Sequence, residues 1–352
     1  MKPYDQLTCS GRLRRKRQLA CLALTAYGLR DAPFKFVHQA GNTLYRVYDP
    51  HPTSHSITSP ADPDLFEPGQ YLLRLHQPGY QERAGIQLEL EWLAAMRREA
   101  GLPVPEPVPA LDGRLLVQVE LPGIPQERDV SLLRWVKGSL PRRPGEHHYR
   151  QQGRLMAQMH HFSARWQPAI IPQKRIYDAD GLFLREDSSG MPNREAWSLL
   201  PPEWAQPFAE VAGRTRGVME AWGQGPQVFG LIHADLGVDA NLFFYRGAAR
   251  PIDFDDSGFG YWIYDLAVAL ENCRDAPAYP RYREALLEGY ARERSLPAWQ
   301  LEQLELFIAA TQVFWLLWAV GGTHLYPQFL AEYQERIQRC AGLVLDFVRS
   351  AS

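Results

Sequence analysis

HADLGVDANLFF (233–244) is followed, after a short gap, by IDFDDSGFG (252–260). The first stretch sets His233, Asp235 and Asn241 in one loop that runs into the apolar LFFY (242–245). The second brings a short strand to Asp253 and adds Asp255 and Asp256. Carboxylate and amide oxygens are hard donors suited to Mg2+. Phosphoryl transfer asks little covalent chemistry of a protein. It needs a metal ion on the phosphates, a carboxylate that takes the hydroxyl proton, and tight positioning. One loop with a base and a metal ligand, then a second loop with another carboxylate ligand, holds those parts. A lone Asp in a loop is more often a cap or a turn former. The ordered set His233, Asp235, Asn241 and Asp253 departs from that plain reading.

The chain has 352 residues, which at about 100–200 residues per domain fits two domains or one two-lobed domain. Its 45% hydrophobic content supports a sizeable core, and 22% charged residues argue against global disorder. A net charge of -2 gives no sign of a nucleic-acid partner, which favours a basic balance. Cys9, Cys21, Cys273 and Cys340 are scattered, with no CxxC or Cys/His metal spacing, and read as free thiols in a reducing cytoplasm. Basic GRLRRKRQ (11–18) before LACLALTAYGL (19–29) has the order of a signal peptide. No small-x-small cleavage site is followed by a clear mature start, and Leu19, Leu22, Ala23, Ala26 and Leu29 recur at helical spacing, so an amphipathic helix is expected. The longest apolar run, LFIAATQVFWLLWAV (306–320), has 15 residues, short of the roughly 20 a membrane span takes. A buried helix is expected there.

FKFVHQAGNTLYRVYDP (34–50) reads as strand, turn, strand, with Phe36, Leu44, Arg46 and Tyr48 at period 2 around AGN. The Pro, Ser, His and Asp of 50–69 read as a surface loop, and His51 and His55 as solvated side chains rather than metal ligands. QYLLRLHQP (70–78) reads as a strand. A helix from about Arg83 to Glu99 puts Ile86, Leu90, Leu93 and Met96 on one face and ends before GLPVP (101–105). RLLVQVE (114–120) and VSLLRWV (130–136) complete a small antiparallel sheet with one packed helix. After KGSLPRRPGE (137–146) helices are expected at 148–166 and near 203–223, 262–273, 280–293, 301–320 and 327–349. There is no internal repeat. The fold class is α+β: a strand-rich first half, a connector and a helix-rich second half.

HxD…N followed by IDFD resembles the protein-kinase-like superfamily. Within it the pattern is similar to the aminoglycoside phosphotransferase and choline-kinase-like family, which also takes in homoserine-kinase-like enzymes and a bacterial stress-response Ser/Thr kinase. The likeness runs from about residue 19 to 345 and is specific for the fold, not for the substrate. It implies a nucleotide-binding lobe at 1–133, a hinge at 134–138 and a catalytic lobe at 139–352. It also implies ATP and Mg2+ as cofactors, with transfer of the γ-phosphate to a hydroxyl of a small molecule. By the same resemblance Asp235 is the catalytic base and His233 braces its loop. Asn241 and Asp253 hold Mg2+, with Asp255 a further candidate ligand. QAGNTLYRV (39–47), with Gly41, Asn42 and Thr43, is the loop over the phosphates. Arg74 meets the α- and β-phosphates and pairs with Glu89. Arg134, Trp135 and Val136 meet the adenine through backbone groups, and Asp265, in YDLAVAL, starts a helix that supports the site.

Three departures stand out. The usual spacing puts Asn five residues after the Asp, at Ala240 here, whereas Asn241 is six on. Either the loop bulges by one residue or Asp239 takes a metal role. The phosphate loop has one glycine, Gly41. Arg74 stands where many kinases use Lys, but its planar fork pairs with phosphate and carboxylate alike. Other readings stay open. A protein Ser or Thr is the alternative acceptor, although the few residues between IDFDD and YWIYDLAVAL leave little platform for a peptide. Asp255 and Asp256 beside Tyr261 and Trp262 point to a cationic acceptor. A pseudokinase that only binds nucleotide fits the shifted Asn and the single glycine. A nuclease or metallohydrolase using the same acids leaves the strand-rich half unexplained. VFWLLW (313–318) reads as core, or as the wall of an apolar acceptor pocket, and His160 and His161 as helix residues straddling buried and exposed faces. No membrane span and no nucleic-acid partner are expected, and the location is cytoplasmic.

Overall fold

The computed structural model describes residues 3, 4, 6–49, 62–168, 174–184, 193–325 and 330–351. His51 and His55 lie outside them. The chain forms two compact units, chiefly Met1–Gly138 and, in the second, Ser139–Gln167 with Lys174–Ser352.

In the first unit α1 (Cys9–Ala26) begins at Thr8, whose Oγ1 accepts the Gly11 N–H at 3.2 Å. Strands β1 (Phe34–Ala40), β2 (Asn42–Tyr48) and β3 (Phe66–Leu75) follow, then α2 (Arg83–Ala100), β4 (Leu116–Val119) and β5 (Arg128–Val136). They form one antiparallel sheet in the order β1-β2-β3-β5-β4, with the helix inserted after the third strand. Alternation turns Tyr45, Val47, Tyr71, Leu73, Leu75, Val130 and Leu132 toward Leu19, Ala23 and Leu24 of α1. Arg74 lies on the other face and reaches Glu89 of α2. The expected hairpin is present, and Leu44, Arg46 and Tyr48 share one face of β2. Phe36 is 47% exposed, and the core side of β2 is Tyr45 and Val47 rather than Leu44 and Arg46. A register shift between Phe36 and His38 turns the β1 side chains over partway along, which a strict period of 2 does not anticipate.

The second unit contains α3 (Glu146–Ser163), β6 (Ile176–Tyr177), α4 (Ala179–Phe183), α5 (Asn193–Ala196), α6 (Pro202–Trp222), β7 (Phe229–Ile232), β8 (Leu242–Tyr245), β9 (Ala248–Pro251) and β10 (Gly258–Tyr261). It ends with α7 (Trp262–Glu271), α8 (Tyr279–Ala291), α9 (Ala298–Leu301), α10 (Leu304–Leu325) and α11 (Leu330–Ala351). Helices α3 and α8 meet backbone to backbone. A Cβ on Gly153 would stand 1.9 Å from the Leu286 carbonyl oxygen, and one on Gly289 would stand 2.0 Å from that of Arg150. The stretch 298–324 is long and apolar enough to cross a membrane, but 72% of its apolar window is buried inside the protein, as in a core helix. Strands β6, β7 and β10 form a small sheet in the order β6-β10-β7. Sequence reading missed it because two to four residues show no period.

Candidate active site

The two acidic loops are neighbours because short strands pin their ends. β7 pairs antiparallel with β10, from Gly258 opposite Ile232 to Tyr261 opposite Phe229. Between them β8 and β9 form a hairpin that turns on Arg246 (φ 51°) and Gly247 (φ 81°). Two successive left-handed residues match the turn that follows the twist of a tight hairpin. Leu242 then faces Pro251, and the Ile252 N–H donates to the Asn241 carbonyl at 2.9 Å. The first loop therefore ends where the second begins.

Asn241 Nδ2 donates to the Asp235 backbone oxygen at 2.9 Å and to Asp235 Oδ2 at 2.7 Å. Both partners are acceptors, so the amide nitrogen faces them and Oδ1 is turned away, available to a cation. The extra residue is absorbed in a turn, where the N–H groups of Ala240 and Asn241 both donate to the Gly237 carbonyl, at 3.2 and 3.1 Å. Asp239 is exposed on that turn. Asp235 is reachable by solvent yet crowded by protein. Its carboxyl is pushed well above the usual range, first by desolvation, then by the carboxylates of Asp256, Asp253 and Glu271, while the Asn241 hydrogen bond opposes them.

Buried groups hold this loop from beneath. His233 is fully buried; its Nε2–H donates to the Ile252 carbonyl at 3.0 Å, which leaves Nδ1 to accept the Asp235 N–H at 3.3 Å. Burial lowers its pKa and keeps the ring neutral. Ala234 has φ 65°, unusual for a residue with a Cβ. Its N–H donates to Asp265 Oδ1 at 2.7 Å, and His160 Nε2–H donates to Asp265 Oδ2 at 2.9 Å. Tyr290 completes the chain with its hydroxyl on His160 Nδ1 at 2.9 Å. Burial alone would raise the Asp265 carboxyl. The hydrogen bonds from His160 and from the Ala234 N–H outweigh it and hold the group low. Gln152, buried on α3, donates from Nε2 to the Leu236 carbonyl at 2.5 Å.

In the second loop Asp253 is exposed and left-handed, with φ 61° and ψ 68°. A non-glycine residue in that region stores strain of the kind that gathers at functional sites. Asp255 is half-buried. Asp256 is ion-paired with Arg175, and the Tyr177 hydroxyl donates to its carbonyl at 2.6 Å. Among the described residues no group of three or more His, Cys, Asp or Glu forms a metal cage. Mg2+ does not ask for one, since it commonly takes one or two carboxylates and completes its shell with phosphate and water oxygens. Asn241 Oδ1 and the Asp253 carboxylate suit such a shared site.

In the first unit Gly41 (φ 73°) makes the β1–β2 turn. Asn42 Oδ1 accepts the Gln77 N–H at 2.9 Å, and Thr43 Oγ1 accepts from Lys16 Nζ at 3.0 Å, so both side chains are engaged within the unit. Arg74 Nη2 reaches Glu89 Oε1 at 2.6 Å, with the two side chains only 5% and 1% exposed. Arg134, Trp135 and Val136 are the last residues of β5. The Arg134 N–H donates to the Glu106 carbonyl at 2.9 Å, Val136 pairs with Phe66, and the Trp135 ring lies 4.1 Å under the Arg46 guanidinium.

Sequence reading missed the supports of the loop: His160, Tyr290 and Gln152, and the Arg175 and Tyr177 clamp on Asp256. His160 carried a signal, for it falls four residues after Met156 on the apolar stripe of α3, where a histidine needs partners. Gln152 and Tyr290 carried none, because their partners are distant in sequence.

The model of the phosphotransferase enzyme family matches residues 65–303, roughly two thirds of the chain. The chain belongs to that family. This phosphotransferase is 29% identical over 258 residues to a homoserine kinase of Pseudomonas aeruginosa (strain UCBPP-PA14), covering 71% of its own length and 74% of the relative's. It is 28% identical over 255 residues to a homoserine kinase of Sinorhizobium medicae, covering 68% of each. Among solved structures it is similar to a microcompartment-associated aminopropanol kinase, with a TM-score of 0.71, 26% identity and 94% of both chains covered. Amicoumacin kinase hAmiN, solved with AMP-PNP, Ca2+ and Ami, gives the same TM-score of 0.71 at 16% identity over 96% of both chains, a likeness of fold. The phosphotransferase is a kinase that phosphorylates a hydroxyl of a small molecule.

Proposed function

We propose that the donor is ATP bound with Mg2+ and that the acceptor is a small alcohol carrying an amine. The observation that carries this reading is the Asn241 amide on Asp235, at 2.9 and 2.7 Å, beside the left-handed Asp253. Asp235 takes the proton of the acceptor hydroxyl as its oxygen bonds to the γ-phosphorus. The bond from that phosphorus to the bridging oxygen breaks, and ADP leaves with the electron pair. When bound, Mg2+ offsets the charge on the phosphates; Asn241 and Asp253 would hold it, with Asp255 as a further ligand. Asp256, tied to Arg175, is left out of that set. His233 stays neutral and braces the loop. Arg74, steered by Glu89, faces the α- and β-phosphates, and the backbone of Gly41, Asn42 and Thr43 covers them. Arg134, Trp135 and Val136 present backbone groups to the adenine. This assigns nucleotide binding to 1–133, a connector to 134–138 and catalysis to 139–352, in a cytoplasmic enzyme.

Two similar proteins support an amine-bearing acceptor, since homoserine kinase and aminopropanol kinase are named for small amino alcohols. Only residues 254–261 separate Asp253 from α7, which favours a small acceptor over a protein Ser or Thr. The test is ADP release with a panel of amino alcohols, homoserine and 1-amino-2-propanol among them, with and without Mg2+. Asp235→Asn is expected to lower kcat at least about 100-fold while nucleotide binding persists. Turnover at the wild-type rate in that variant would overturn the base assignment.

A further inference from the structure

The first unit holds a recess of about 310 Å3 beside α1, lined in part by Tyr4, Arg12, Lys16, Gln39, Thr43 and Arg128. Strand alternation places most of its wall on the face of the sheet opposite Arg74, while His76, bonded to the Ser131 hydroxyl that Arg74 also meets, lines it at the edge. Thr43 and Leu75, both at its wall, share their side with Tyr45, Val47 and Leu73, which α1 covers, whereas Arg74 turns to Glu89 on α2. Arg12 and Lys16 are one turn apart on α1, so their side chains leave the same helix face. Lys16 Nζ is already held over the hairpin by Thr43 Oγ1 at 3.0 Å. Arg128 is 9% exposed, and its Nη1 donates to the carbonyls of Gln126 at 2.8 Å and Glu127 at 3.2 Å. Among the described residues at the wall, three are cations and none is a carboxylate.

We propose that this recess is an anion site, separate from the nucleotide site, that takes a phosphate group carried by a small molecule. A carboxylate brings one charge and two oxygens. Three cations, a hydroxyl at Thr43, a phenol at Tyr4 and an amide at Gln39 offer more than one carboxylate can use. A phosphate monoester brings nearly two charges and three strong acceptor oxygens, which matches that set. The volume is that of a modest small-molecule site. Gln39, Gly41 and Thr43 also belong to the turn proposed above to cover the nucleotide phosphates, so an occupant touches that turn from its far side. Binding in the recess therefore changes nucleotide affinity by about five- to 150-fold. That consequence rests on the proposed role of the turn, while the site itself does not.

Calorimetry tests it on the full chain with the nucleotide site filled by AMP-PNP and Mg2+. Inorganic phosphate and glycerol phosphate are titrated at constant ionic strength, with acetate as the carboxylate control. Saturable binding of the phosphates is expected, weakened about tenfold by Lys16→Glu and by Arg12→Glu and kept in Asp253→Ala. Arg12 is exposed and Lys16 half-buried on the recess-facing side of α1, and circular dichroism checks that both variants fold. No binding, binding indifferent to both α1 variants, or acetate binding as tightly as phosphate overturns the proposal. Binding only to vesicles containing phosphatidic acid, and not to the soluble esters, overturns the small-molecule assignment.

Discussion

Gly153→Ala adds one methyl group where α3 and α8 touch. The new Cβ would stand 1.9 Å from the Leu286 carbonyl oxygen, against an ordinary contact beginning at 3.4 Å. The obstacle is backbone, which has no rotamer to yield, so the helices must part by about 1.5 Å. Overpacking of this kind costs about 3 kcal/mol. The displacement also reaches the chemistry. α3 carries Gln152, 2.5 Å from the Leu236 carbonyl, and His160, 2.9 Å from Asp265. Neither hydrogen bond survives such a shift, and misplacing the base by about 1 Å lowers kcat about 100-fold. Gly289→Ala presses on the same gap, at 2.0 Å from the Arg150 carbonyl, and should act alike. The double variant should cost less than the sum, since helices parted for one methyl have made room for the other. Gly217→Ala is the control, because its Cβ meets nothing within 4 Å on the exposed side of α6. It should gain about 0.5–1 kcal/mol from helix propensity and lost chain entropy. Urea denaturation followed by circular dichroism reads the stabilities, and ADP release reads kcat. Gly153→Ala within about 0.5 kcal/mol of wild type, with kcat unchanged, would refute the argument.

Breaking the buried Arg74–Glu89 pair with Arg74→Ala should destabilise the first unit by about 3 kcal/mol, since it strands a buried carboxylate. Arg74→Met with Glu89→Leu should recover most of that stability without recovering ATP turnover; recovered turnover would remove both residues from the phosphate site. Stability should also fall with acid. Burial depresses the pKa of His160 and His233. A depressed histidine stabilises the fold fully above its unfolded pKa of about 6.5, and that contribution is lost as pH falls below it, by up to about 1.4 kcal/mol per pH unit per ring. His160→Gln should therefore flatten the fall in Tm between pH 7 and 5, and a profile parallel to wild type would show that His160 is not one of the groups responsible.

The elements easiest to read in the sequence were those with long periods. α2 shows its stripe over Ile86, Leu90, Leu93 and Met96, all buried, and its Gly101 stop adopts φ 62°. The strand β3 was read only from Gln70, because its first residues, Phe66 to Gly69, include Pro68 and Gly69 and run into a register shift against β5. Among the candidate residues, those legible in sequence were the ones whose chemical type is itself informative: Asp235, Asn241 and Asp253 in the second unit, and the Arg74 and Glu89 pair in the first. What could not be read was the set of contacts that joins distant segments. Asp265 meets His160 across 105 residues, and Gln152 meets Leu236 across 84. A stripe pattern marks such side chains as buried, but it does not say which buried partner satisfies them.

The shifted asparagine shows what a motif fixes physically. Counting residues from Asp235 places Ala240 where Asn is usual, and counting alone suggests a damaged site. The structure counts from the other end. Asn241 directly precedes β8, its carbonyl is held by the Ile252 N–H, and its side chain lies on Asp235. Those contacts depend on the start of the strand, whereas the number of residues in the preceding turn is free, and the added residue is absorbed by two N–H groups on the Gly237 carbonyl. An insertion in a solvent-exposed turn costs little loop-closure entropy, about 0.6 kcal/mol even for a doubling of length. A displaced Asn241 would instead give up two hydrogen bonds to Asp235, worth about 0.5–1.5 kcal/mol for the one to the backbone oxygen and about 1.5–3 kcal/mol for the one to the carboxylate. The hydrogen bonds outweigh the loop entropy, so the turn bulges and the asparagine keeps its place.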